Sequence, residues 1–150
     1  MKKIIFILFI SLSLVQCAND DDALDCSTVL CEGPSFVFEF IDSDTGDNVL
    51  EGVFDNGVPD GFFIALGEDD IALEFGIDYA VNPLNQLGVF RFSEQFQISL
   101  PNVFDVTIAY DFGAISNGCC QDYTYENVTV INATFEQVED GNRLFLRIFI

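Results

Sequence analysis

Three short stretches of this chain concentrate side chains able to bind or react. In "DSDTGDN", residues 42–48, Asp42, Asp44, Asp47 and Asn48 bring together the hard oxygen ligands that Ca²⁺ takes. The EF-hand register fails, because counting from Asp42 puts Gly46 at position 5 and Asp47 at position 6, where Gly belongs at 6. The same residues are ordinary turn formers, so a polar hairpin loop is the preferred reading and Ca²⁺ the one cofactor held in reserve. Asp69 and Asp70 likewise read as a solvated turn.

The second stretch is split between "CSTVLC" and "GCC", which carry Cys26, Cys31, Cys119 and Cys120. Four thiols suit tetrahedral Zn²⁺, but adjacent cysteines do not supply a second C-x₂₋₄-C knuckle. In an exported domain they form two disulfides, with three connectivities open. A vicinal ring is strained, which leaves Cys26 and Cys31 joined to Cys119 and Cys120 in either order. Each link closes roughly 90 residues and stabilises by about 4 to 5 kcal/mol.

The third is "RLFLRIFI", residues 143–150. Strand alternation sets Leu144, Leu146, Ile148 and Ile150 on one face and Arg143, Phe145, Arg147 and Phe149 on the other. With the aliphatic face in the core, the arginines and phenylalanines face outward, an arrangement suited to a protein or glycan partner. The competing reading covers the phenylalanines and pairs the arginines with carboxylates.

Catalytic chemistry is thinly supported. The chain contains no histidine, which removes the Ser-His and Cys-His dyads and the commonest general base. Neither a nucleophile elbow nor a phosphate-binding glycine loop occurs. With 25 acidic residues, chance carboxylate pairs are expected, so a glycoside hydrolase is the lesser alternative and the protein is read as no enzyme.

The elements that must position these residues are strands. "SFVFEFI" (35–41), "FQISL" (96–100) and "VFDVTIAY" (103–110) alternate with period two and are rich in β-formers. Further strands are expected at 48–54, 61–66, 70–75, 87–92, 124–137 and 143–150. Turn chemistry separates them, as in "DNGVPDG", "NPLN", "SNG" and "EDGN". The expectation is an all-β domain over 25–150, an antiparallel β-sandwich of seven to nine strands, immunoglobulin-like in general architecture, with a small β-barrel as the alternative.

Ahead of this body, Lys2 and Lys3 precede the apolar run Ile4 to Val15, too short for a bilayer span of about 20 residues. Residues 1–16 therefore read as a signal peptide. Leu14, Val15 and Gln16 before Cys17 resemble the lipobox of bacterial lipoproteins, with Gln16 where a small residue is usual. Cysteine parity agrees, because a lipidated Cys17 leaves the other four to pair. Residues 17–24 form an acidic tether, and an acylated Cys17 would hold the protein on a membrane.

"CANDDD" is similar to the acidic cluster that follows the lipidated cysteine in surface-exposed lipoproteins of the Bacteroidota. "DCSTVLCEGP", "TGDNVL" and "NGCCQDYTYENVTV" extend this to a resemblance to small uncharacterised surface lipoproteins of flavobacteria. The resemblance implies a lipid-anchored outer-membrane location, exposed at the cell surface, and brings no activity.

After Cys17 three arginines face all 25 acids, a formal charge of −22 (3 − 25). Nucleic-acid binding needs phosphate neutralisation by Lys or Arg and is excluded on this balance. The functional expectation is a non-catalytic, surface-exposed lipoprotein, a binding or accessory module for a protein or glycan, with a calcium-dependent module as the alternative.

Overall fold

The computed structural model describes Cys26, residues 29–67 and residues 71–150. The signal peptide, Cys17, the acidic tether and the Asp69–Asp70 turn lie outside the described residues. The chain divides into two compact units, Met1–Leu30 and Cys31–Ile150. In the first, the Val29 N–H donates to the Cys26 carbonyl at 3.2 Å. All that follows concerns the second.

Among the described residues ten strands form it: β1 (Ser35–Ile41), β2 (Phe63–Leu66), β3 (Ile71–Ala72), β4 (Tyr79–Val81), β5 (Leu87–Val89), β6 (Gln95–Leu100), β7 (Phe104–Asn117), β8 (Cys120–Ile131), β9 (Thr134–Asp140) and β10 (Arg143–Phe149). They make two five-stranded sheets, ordered β4-β5-β1-β10-β9 and β3-β2-β6-β7-β8. The result is a β-sandwich and not a closed barrel, since each sheet keeps its own edges.

Alternation explains the core. On β1, Phe36, Phe38 and Phe40 are fully buried while Ser35, Val37, Glu39 and Ile41 point the other way. Leu144, Leu146 and Ile148 of β10 lie beside them, register-paired as Phe36 to Leu144, Phe38 to Leu146 and Phe40 to Ile148. From the facing sheet come Ile64, Phe96, Ile98, Val106 and Ile108. The rings interlock, Phe36 edge-on to Phe96 at 4.8 Å and Phe40 stacked on Phe104 at 4.3 Å.

Three features depart from the sequence expectation. The β1–β10 pair is parallel, so the sandwich is not purely antiparallel. Parallel neighbours need a long crossover, and here everything between residues 41 and 143 supplies it. The strand count exceeds seven to nine because several strands are only two to four residues long and because 124–137 breaks in two at Asn132, whose φ is +70°. Residues 48–54 form successive turns instead of a strand. There the Asn48 side-chain oxygen accepts the Leu50 N–H at 2.9 Å and Gly52 takes φ +72°, so local bonding displaces the ladder. Leu50 is still buried, closing one end of the core.

β7 and β8 run longer than their neighbours. β6 pairs with β7 only from Phe104 to Ala109, so the remainder forms a two-stranded arm with β8. A bulge at Ala109/Asp111 leaves Tyr110 unpaired on β7 and both Asn127 and Val128 unpaired on β8. The extra β8 residue shifts the alternation, so Tyr125 and Tyr123 fall on the same side as Val128 and Val130. Asn127 carries φ +50° there, and its amide donates to Asp111 at 2.6 Å. At the arm's tip Gly118, φ +61°, begins a two-residue hairpin turn.

The tip is stapled. Cys31 is bonded to Cys120, with the Cα atoms 5.3 Å apart across a separation of 89 residues. Cys119, next to Cys120 at the tip, is disulfide-bonded as well. The loop closed by Cys31–Cys120 is long enough to stabilise the fold by about 4 to 5 kcal/mol through the unfolded chain.

Phe38 sits in the middle of β1 with no solvent exposure. Phe38→Ala removes a ring the core cannot refill, and should lower the unfolding free energy by about 3 to 5 kcal/mol, read by urea denaturation followed by far-UV circular dichroism.

Candidate functional site

The outer face of the β4-β5-β1-β10-β9 sheet is set by the inner one. Committing Phe36, Phe38 and Phe40 to the core turns Ser35, Val37, Glu39 and Ile41 outward, and parallel register aligns them with Arg143, Phe145, Arg147 and Phe149. Antiparallel pairing with β9 continues the rows to Asp140, Val138, Glu136 and Thr134. The four β10 residues expected to share an outward face therefore do so.

Their environments differ. Arg147 is held between two carboxylates, with Nε donating to Glu39 at 2.8 Å and Nη1 to Glu136 at 3.3 Å. The Glu39 hydrogen bond and charge, then Glu136, keep its guanidinium more firmly protonated than usual. Phe145 and Phe149 are half-buried in rows flanked by Val37 and Val138 and by Ile41 and Thr134. Arg143 stands apart: its ion pair with Asp140 is loose, at 3.8 Å, with both side chains nearly half exposed.

Arg143 also lines a surface groove of about 300 Å³, the candidate site. Val37 belongs to one wall, Ala80 and Val81 to the other, and Ser35 and Phe90 also line it. The floor is Gly88, which the register places between Ala80 and Val37. Leu87 and Val89 beside it point inward, so Gly88 is an outward position without a side chain, and the missing side chain leaves the hollow. A Cβ at Gly88 would meet the Phe90 ring at 3.5 Å, which places that ring at the groove's edge.

Phe90 is 58% exposed, unusual for a phenylalanine held in place by its backbone. Its N–H donates to the Asp78 carbonyl at 2.8 Å, while the Asp78 carboxylate binds Arg91 Nε at 2.9 Å. Asn82, also in the lining, is committed to the β4–β5 turn: its side-chain oxygen accepts the N–H groups of Leu84 and Gln86 at 2.9 and 3.1 Å. The groove thus offers an apolar trough with an aromatic edge and, at the β10 side, one guanidinium.

The Asp-rich loop is organised from within. Asp42 Oδ1 accepts the N–H groups of Asp44 and Thr45 at 2.8 and 2.9 Å, and these bonds hold its carboxyl below the usual carboxylate range. The Asp47 N–H donates to the Thr45 hydroxyl, and the Asn48 amide reaches the Asn85 carbonyl at 3.2 Å. Among the described residues, no three His, Cys, Asp or Glu side chains converge on a metal position. The loop therefore has the construction of a polar turn.

An aromatic cluster runs from the core into the arm. Tyr125 lies edge-on to Phe36 at 5.8 Å and Tyr110 at 5.5 Å, and Phe112 to Phe92 at 4.5 Å. The Tyr110 hydroxyl donates to the Ser93 carbonyl, and that of Tyr125 to the Asn142 carbonyl at 3.2 Å. Burial pushes the Tyr110 phenol far above its ordinary range and that of Tyr125 up to about 12.

No family model matches the chain, and no curated protein or solved structure matches it either.

Sequence reasoning singled out Arg143, which lines the groove, and passed over Gly88 and Phe90, which line it too. The available signal was "LGVF", in which a glycine interrupts the outward face of a strand directly before an aromatic, a pattern that marks close approach to the backbone.

Two predictions follow from the charges and phenols. Arg147→Gln leaves Glu39 and Glu136 facing each other, and should cost about 1 kcal/mol of stability by urea denaturation, the exposure of the pair limiting the effect. The tyrosines set an alkaline limit. A folded pKa raised to about 12 against 10.0 for a free phenol gives stability that is complete below pH 10 and lost as pH rises toward 12. The unfolding free energy should fall across that window, and Tyr125→Phe should make the fall shallower.

Proposed function

We propose that this protein is a non-catalytic binding module displayed at the outer-membrane surface by a lipid on Cys17, and that the groove between Phe90 and Arg143 holds a glycan. The flavobacterial resemblance and the lipobox-like residues support the location; the groove supports the activity. The observation that carries the reading is the glycine-floored hollow beside a 58% exposed phenylalanine.

A sugar ring has an apolar face of C–H groups and a polar rim. The first packs on an aromatic edge and the second reaches donors such as Ser35 and Arg143. At about 300 Å³ the groove is at the small end of ligand sites, suited to a short saccharide. A protein partner would need roughly 800 Å² of complementary surface. The strongly exposed apolar side chains Ile77, Leu84 and Ile115 lie on the β3–β4 loop, the β4–β5 turn and β7, and none belongs to the groove's lining.

Two measurements test this. Mass spectrometry of the membrane-extracted protein should find an acylated peptide beginning at Cys17; an unmodified Cys17 in that fraction overturns the anchor. On a glycan array, the protein should bind a subset of saccharides, with binding unchanged by a calcium chelator. Gly88→Val, which fills the hollow from the outer face, and Phe90→Ala should each reduce binding by about tenfold or more while the circular dichroism spectrum is preserved. An array that stays empty, or binding indifferent to both substitutions, overturns the groove. Binding abolished by chelation transfers the activity to a calcium-dependent site.

A further inference from the structure

We propose that the groove selects an acidic saccharide, one bearing a uronate carboxylate, and that Arg143 is the residue that reads the charge. The inference rests on the groove being the glycan site and adds the chemical class of its ligand.

The argument begins with how few cations the body has and where each is spent. After Cys17 the arginines are Arg91, Arg143 and Arg147. Arg147 is engaged by two carboxylates at 2.8 and 3.3 Å. Arg91 Nε is ion-paired with the Asp78 carboxylate at 2.9 Å, on the residue whose carbonyl holds Phe90. Both are bound at hydrogen-bonding distance. Arg143 is not: among the described residues its ion pair is the 3.8 Å approach to Asp140, beyond hydrogen-bond length. It is also the one of the three in the groove lining.

A guanidinium presents five N–H donors in a planar fork that matches a carboxylate two bonds at a time. On Arg143 that fork is unspent and stands in a trough whose lining is mostly apolar, with Val37, Ala80, Val81, Gly88 and Phe90 beside the polar Ser35 and Asn82. The complementary ligand has an apolar face and one carboxylate at its edge, and a uronate ring has both. A neutral sugar would leave the fork to water, while a small inorganic anion would leave the trough and the Phe90 ring uncovered.

The body's charge is compatible with an anionic ligand only through a short-range contact. The residues after Cys17, at −22 (3 − 25), repel anions at long range, but exposed charges more than about 10 Å apart are largely screened at 0.1 M salt. Recognition of an anion must then come from a contact inside that distance, and Arg143 is placed to make it.

The test uses detergent-solubilised full-length protein and isothermal titration calorimetry. The probes are oligogalacturonate and oligomannuronate, each compared with its methyl ester, which keeps the sugar rings and removes the charge. At least one acid should bind about tenfold or more tightly than its ester. Arg143→Gln should erase that difference, Arg143→Lys should restore part of it, and Phe90→Ala should weaken acid and ester alike. Equal binding of acid and ester, a preference that survives Arg143→Gln, or no binding of either acid overturns the inference. Selective binding of neutral glycans on the array, lost in Gly88→Val, would leave the groove as a glycan site and remove only its acidic preference. Failure of both experiments removes the two readings together.

Discussion

The burial of Phe36, Phe38 and Phe40 is the constraint on which this structure depends. A strand has a period of two, so three rings committed to the core leave no choice about the residues between them. Ser35, Val37, Glu39 and Ile41 must face out, and a shift of one residue would exchange a core of phenylalanines for a buried glutamate. Because β1 and β10 pair in parallel at the sheet's centre, the same decision aligns the β10 residues beside them. Glu39 meets Arg147, Ser35 lies beside Arg143, and Val37 faces Gly88 on β5. The groove's geometry is thus inherited from the hydrophobic core.

The outer face then divides its positive charge unequally. Arg147 at the sheet's middle neutralises two acids that would otherwise repel each other, a structural use of a cation in a chain with few. Arg143, at the end of the strand beside the hairpin turn, has only the loose Asp140 contact. Two residues of one type, four positions apart on one strand and one face, therefore have different work, and the difference lies in what the neighbouring strands bring opposite each. Spacing within β10 cannot report this, because the carboxylate partners come from β1 and β9.

Much of the fold was legible. Alternation located β1, β6 and β10 almost to the residue, since each buries one face against the opposite sheet and exposes the other. The "SNG" and "EDGN" turns marked two hairpins because glycine at positive φ is a local requirement. Less was legible where side chains compete with the ladder. Asn48 captures the Leu50 N–H and removes a strand, and the bulge at Ala109/Asp111 moves the β8 register so that the tyrosines turn inward. The parallel β1–β10 pair could not be read at all, because pairing between residues more than 100 positions apart leaves no local pattern. The site was half legible. The cation stood in an alternating strand, but the groove exists through an absent side chain, and Gly88 matters only once Ala80 and Val37 are known to flank it.

The Cys31–Cys120 bond has a mechanical consequence. β1 lies in the centre of its sheet, paired on both sides, and begins four residues after Cys31. A pull on the chain ahead of Cys31 would, without the crosslink, act along the path into β1 and peel it from its neighbours. With the bond in place, Cys31 cannot be drawn away unless the β7–β8 arm moves with it, so part of the load passes into the outer end of a long hairpin, beyond the core residues of β7. The staple works as a strain relief, of the kind fitted where a cord enters a housing. A load applied at Cys31 would thereby be shared with the arm, sparing the register of the Phe36–Phe40 strand and of the groove on its outer side.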